Sequence, residues 1–152
     1  MENNIVILSN ATTFDYAYRI LNDRLQQGIK SGNIPDAGLF IPVAVNCALA
    51  CELYLKSLLP VCTHGHKLYS DLFTKLDADI AEIIRNSVIT IIQDTNSSYS
   101  AVDFEHDLMA NEDAFIKWRY FHESECGLSF NLSFMSVFEA CLKAIATAEE
   151  RH

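Results

Sequence analysis

Glycine and proline are scarce, at five and three residues in a chain of 152. A sequence so poor in turn-forming residues is a poor candidate for many short strands and favours long helices. Basic residues are also few, eleven against twenty acidic ones, for a formal net charge of −9. That balance argues against general nucleic-acid binding, which rests on neutralising phosphates, although it leaves room for a small local basic site. There is no CxxC among the five cysteines, and Cys47 and Cys51 fall within an apolar run. The count is odd, a pattern that suits reduced, buried thiols rather than a disulfide framework. The start of the chain, MENNIVILSN, has no basic region of the kind that opens a secretion signal. The longest near-apolar run, LFIPVAVNCALAC, is 13 residues and contains Pro42 and Asn46. It is short for a bilayer span. The expectation is a cytoplasmic protein with no membrane contact. No GxSxG, P-loop or GxGxxG occurs, which excludes the usual serine-hydrolase and nucleotide-binding fingerprints. No repeat, low-complexity segment or linker divides the chain, so residues 1–152 read as a single domain.

What is present is apolar and helical in period. Half of the residues are hydrophobic, enough for a generous core. A first helix is expected from Thr12, where Thr12 and Asp15 resemble a capping box. Phe14, Ala17, Leu21, Leu25 and Ile29 follow as its stripe. KSGNIPDAG ends it. A second helix is expected from Phe40 to Leu59, with Pro42 in its first turn and Pro60 as its stop. It is apolar almost all round, as a central helix is. Its charged exceptions are Glu52 and Lys56, one turn apart in the favourable order. A short helix in KLYSDLFTKL should follow, then one capped by Asp77 with Ile80, Ile84, Val88 and Ile91 on one face. FEHDLM should form one or two turns, Asn111 should cap a helix through AFIKWRYFHE, and the last helix should run from Asn131 to Glu150. The sum is an all-α compact bundle of five to six helices.

Three constellations could carry chemistry. Cys62, His64 and His66 alternate as potential zinc ligands, but no second ligand pair completes a closed site, so no metal and no cofactor is expected. Arg119 sits between Trp118 and Tyr120 in an apolar helix. If it is buried it needs a carboxylate, and Glu52 on the central helix needs a cation. This gives a structural ion pair of Glu52 with Arg119, with Lys56 and Glu123 nearby. The other reading makes Arg119 and His122 a catalytic pair, the guanidinium holding a phosphate and the imidazole moving a proton. Lys56 and His66, with Arg119, are candidates for a small-ligand site.

NCALACELYLKSLL followed by HGHKLYSDLFTKL resembles the HEPN domain family. That family carries Glu and Lys four apart on an apolar helix, then a Gly-His-x-Leu element; here these are Glu52, Lys56, Gly65, His66 and Leu68. Trp118, Arg119, Tyr120 and Glu123 resemble a segment of one HEPN-like subgroup. The resemblance spans Val43 to Glu123. It implies a helical bundle that often dimerises, found in bacterial toxin–antitoxin and phage-defence systems, with a partner protein from the same operon. Some members are metal-independent ribonucleases and others are binding or interaction modules. The nuclease members carry RxxxxH, whereas Arg119 and His122 form only RxxH. The expectation is therefore a non-catalytic or weakly catalytic homodimer, with a ribonuclease using Arg119 and His122 as one alternative and a nucleotide- or small-ligand-binding protein as the other.

Overall fold

The computed structural model describes residues 2–120 and 129–149. Among these there is no strand, and the elements are all helical, as the periodicity predicts. Helix α1 spans Glu2–Ser31. It begins well before Thr12, because Leu8 and Ala11 extend the same inward stripe that continues through Tyr18 and Leu25. Thr12 is thus no cap: its hydroxyl donates to the Leu8 carbonyl in the preceding turn at 3.0 Å. Asp15 is turned inward and buried. A single turn, α2 (Ile34–Ala37), folds back on α1. Gly28 permits that approach, since a Cβ there would lie 2.2 Å from the Asp36 Cβ.

Helix α3 (Phe40–Ser57) is the central element, with Pro42 in its first turn. Val43, Cys47, Ala50, Cys51, Tyr54 and Leu55 enter the main core against α1 and the last helix, α7 (Leu132–Glu149). Ala44 and Ala48 face another way, onto Ala114 and Trp118 of α6 (Ala114–Arg119). Small side chains at these two positions let the Trp118 ring settle against the helix. Its edge meets Phe40 at 5.4 Å and Phe130 at 6.3 Å between centroids. The segment Ile34–Ser57 is long and apolar enough to cross a bilayer by length and composition, with a mean hydropathy of 1.7. In this fold half of that apolar window is buried, with α1, α6 and α7 packed on α3.

After α3 the expected short helix is two unlike turns, a π-type turn at Leu68–Leu72 and a 3₁₀ turn at Phe73–Lys75. The wide turn lets the adjacent Leu72 and Phe73 both enter the core with Leu68. Helix α4 (Ala78–Gln93) is capped by Asp77, whose carboxylate accepts from the Asp79 N–H at 3.0 Å. Ile84 and Val88 are fully buried, while Ile91 at its end is 46% exposed. Helix α5 (Ala101–Ala110) is longer than expected because Ser100 and Asp103 form a reciprocal capping box ahead of it. Asn111 ends α5 instead of starting α6. Its amide donates to the Asp107 carbonyl at 2.8 Å, and its Oδ1 accepts from the Asn131 N–H at 3.0 Å. Asn131 in turn caps α7 through the Phe134 N–H. Phe73, Phe104, Phe134 and Phe138 interlock where these elements meet, with ring centroids 5.4–6.4 Å apart.

Candidate functional site

Glu52 is the buried charge of α3, 2% exposed. It does not pair with Arg119. Its Oε1 accepts from Lys56 Nζ at 2.7 Å and meets His66 Nδ1 at 2.9 Å. A carboxylate accepts, so Nδ1 is the donor in this contact. The imidazole is 56% exposed and the Lys56 side chain 17% exposed. Glu52 Oε2 is buried with no partner among the described residues.

The loop is built to hold His66 in this place. Gly65 has φ +122°, and a Cβ there would fall 2.4 Å from the Asp71 Cβ. Asp71 Oδ2 accepts from the backbone N–H groups of Lys67 and His66, each at 3.1 Å. Those two bonds hold the Asp71 carboxyl below the usual range. Two residues on, the Leu68 N–H donates to the Glu112 carbonyl at 3.0 Å, and Glu112 Oε2 accepts from both Ser70 groups. Both the backbone and the ring of His66 are thus fixed. The residues expected to bind a ligand, Lys56 and His66, are brought together, with Glu52 as their common acceptor.

Arg119 lies elsewhere. Trp118 is the inward residue of α6, and one residue further along a helix is rotated by about 100°. Arg119 is therefore exposed. Its guanidinium lies 4.4 Å from the Tyr120 ring centroid and 4.9 Å from that of Phe115, and it donates to the Tyr120 hydroxyl at 2.8 Å. The expected Glu52–Arg119 pair is thus replaced by Glu52–Lys56–His66. The other members proposed for it, His122 in the catalytic reading and Glu123 in the ionic one, lie outside the described residues. Cys62 is exposed and His66 is engaged by Glu52. Among the described residues no three His, Cys, Asp or Glu side chains gather to hold a metal ion.

A second polar cluster was not anticipated. Asp15 and Glu139, 2% and 1% exposed, face each other between α1 and α7. Arg19 Nε donates to Asp15 Oδ1 at 2.6 Å and Nη2 to Glu139 Oε2 at 3.0 Å. Lys143 Nζ lies 2.5 Å from Asp15 Oδ2. Burial, and then the neighbouring Asp15 carboxylate, push Glu139 up to about 8. Burial also works against Asp15, but hydrogen bonds from Lys143 and Glu139 outweigh it and hold Asp15 low. Glu139 is therefore biased toward its protonated form, which relieves the repulsion between two buried carboxylates. Its Oε1 is buried with no hydrogen-bond partner among the described residues. The clue in the sequence is a pair of i, i+4 acid-before-base steps, Asp15–Arg19 and Glu139–Lys143, whose acids fall on apolar stripes.

No family model, no curated protein and no solved structure matches the chain.

Proposed function

We propose that the chain is a HEPN-like homodimeric helical module that acts by binding, in a bacterial defence or toxin–antitoxin setting and in the cytoplasm, and that RNA cleavage is not its work. The observation that carries this reading is the way the charged side chains are used. Glu52 is committed to Lys56 and His66, Arg119 lies against the rings of Phe115 and Tyr120, and the guanidinium and the His66 imidazole do not share a site. The Arg119 guanidinium is therefore not placed to grip a phosphodiester beside the His66 imidazole. The dimer reading draws on the outer face of α1, where Ile5, Val6, Tyr16 and Ile20 are all at least half exposed. Residues 3–14 contain no charge. Two copies of an acidic chain meet there with least repulsion.

Light scattering after size exclusion tests the dimer. Wild type should run as a dimer and the pair Tyr16→Glu, Ile20→Lys as a folded monomer; a monomeric wild type removes that part of the reading. Incubation of total RNA with the protein in EDTA tests the rest. Intact RNA is expected. Cleavage that disappears in Arg119→Ala and His122→Ala would establish the metal-independent ribonuclease instead.

A second reading is favoured by the His66 imidazole, fixed on one side and exposed on the other: Lys56 and His66 form a site for a nucleotide or another small anion. A thermal-shift panel of nucleotides checks it, and any shift must vanish in His66→Ala.

A further inference from the structure

A cleft of about 400 Å³ lies where the end of α4, the loop after it, α5 and the start of α7 converge. That volume is within the range of small-molecule sites. Its walls are mainly apolar, from Ile91, Ile92, Phe134 and Val137, with Ser133 on the rim. Among the described residues Asp107 is the one charged residue that lines it. The frame is fixed by bonds already described: Asn111 ties α5 to Asn131, and Asn131 caps α7. Gln93 adds another, donating to the Tyr99 carbonyl at 2.8 Å.

The Asp107 carboxylate is held in place. Oδ2 accepts from the buried Tyr99 hydroxyl at 2.8 Å. Oδ1 faces His106 Nδ1 only at 4.0 Å, and that imidazole is 82% exposed on the solvent side. The Asp107 side chain is itself only 25% exposed. Among the described residues no lysine or arginine lines the cleft, so a partly buried carboxylate lacks a close cation and sits beside an apolar wall. The ligand that answers both is a small organic cation with a hydrocarbon body. We propose that this cleft binds primary alkylammonium compounds, the ammonium on Asp107 and the chain along Ile91, Phe134 and Val137. The site is separate from Lys56 and His66 and would select the opposite charge.

Titration calorimetry in amine-free phosphate buffer tests it, with hexylammonium chloride, 1-hexanol and sodium hexanoate as probes. A charge-assisted hydrogen bond on top of the same hydrocarbon contact should make the ammonium bind about tenfold or more tightly than the alcohol. Hexanoate should be the weakest. Asp107→Asn keeps an acceptor for Tyr99 and should reduce the ammonium to the affinity of the alcohol. Ser133→Trp fills the cleft from its exposed rim, leaves Asp107 in place and should abolish binding of both. Equal binding of ammonium and alcohol to the wild type, or no binding of either, overturns the proposal. So does undiminished ammonium binding in Ser133→Trp, which would mean general attraction to an acidic surface.

Discussion

The buried acid pair makes stability fall as pH rises through neutrality, and the fall can be worked out. Glu139 has a folded-state pKa of about 8 against an ordinary value of 4.5. Between those values the folded chain holds a proton that the unfolded chain has released. Stability from this group is therefore fully present below the unfolded value and is lost as pH rises through the folded one. The limiting slope is about 1.4 kcal/mol per pH unit. The folded value of about 8 already contains the opposing pull of Arg19 and Lys143, so a loss on the order of 2–4 kcal/mol from about pH 5 to about pH 8 is expected. For a chain of this size that is roughly 5–15 °C in melting temperature. Asp15 stays ionised throughout this window because its pKa is held low. Tyr18 and Tyr54 are raised, chiefly by burial, out of the way. Surface histidines and the growing net negative charge also respond to pH, so wild type alone does not isolate the pair. Glu139→Gln does, because its amide can donate to Asp15 and accept from Arg19 as the protonated acid does, but cannot ionise. Melting curves by circular dichroism should show the variant close to wild type at the acid end and more stable at the alkaline end. A constant difference between the two proteins across the range would refute the proton-sharing arrangement.

Three further outcomes follow from the same geometry. Arg119→Ala should cost only about 0.5–1 kcal/mol, the scale of an exposed cation–π contact, and its effect in denaturant melts should add to that of Glu52→Gln; strong coupling would restore the Glu52–Arg119 pair. Gly65→Ala should lower stability by about 1–3 kcal/mol, because it combines a left-handed backbone with a clash on Asp71, and a wild-type melt would contradict the description of that loop. Among the described cysteines, Cys62 should be alkylated rapidly in the native state, and Cys47, Cys51 and Cys141 only on unfolding, as read by mass mapping of the labelled peptides.

The sequence made the helical class and the central place of α3 legible because both rest on periodicity and on the scarcity of breakers. Phe40, Pro42 and Asp77 mark their boundaries through local chemistry. Asn111 and Thr12 misled for one reason: each is a cap-like residue whose partner is decided in three dimensions, by Asn131 for one and by the Leu8 turn for the other. Glu52 stands out in an apolar helix as a buried charge in need of a cation. Its partner was not readable, since choosing between Arg119 and the pair Lys56 and His66 requires knowing which face of α6 points inward. Trp118, as the larger apolar neighbour, takes that face and displaces Arg119 outward. The Asp15–Glu139 pair was hidden because the residues are 124 positions apart (139 − 15) and each looks satisfied locally by its own basic neighbour.

The arrangement of α1 over α3 also bears on how the chain survives its own synthesis. The segment Ile34–Ser57, which contains α3, is long and apolar enough to cross a bilayer, so an uncovered copy of it would be exposed to aggregation or to a bilayer. The element that packs most extensively on it is α1, and α1 is translated before it. When the apolar helix leaves the ribosome its largest cover is already made, whereas α7 arrives last and closes the remaining side. Moving α1 to the C-terminus by circular permutation would leave the folded contacts as they are and remove that order.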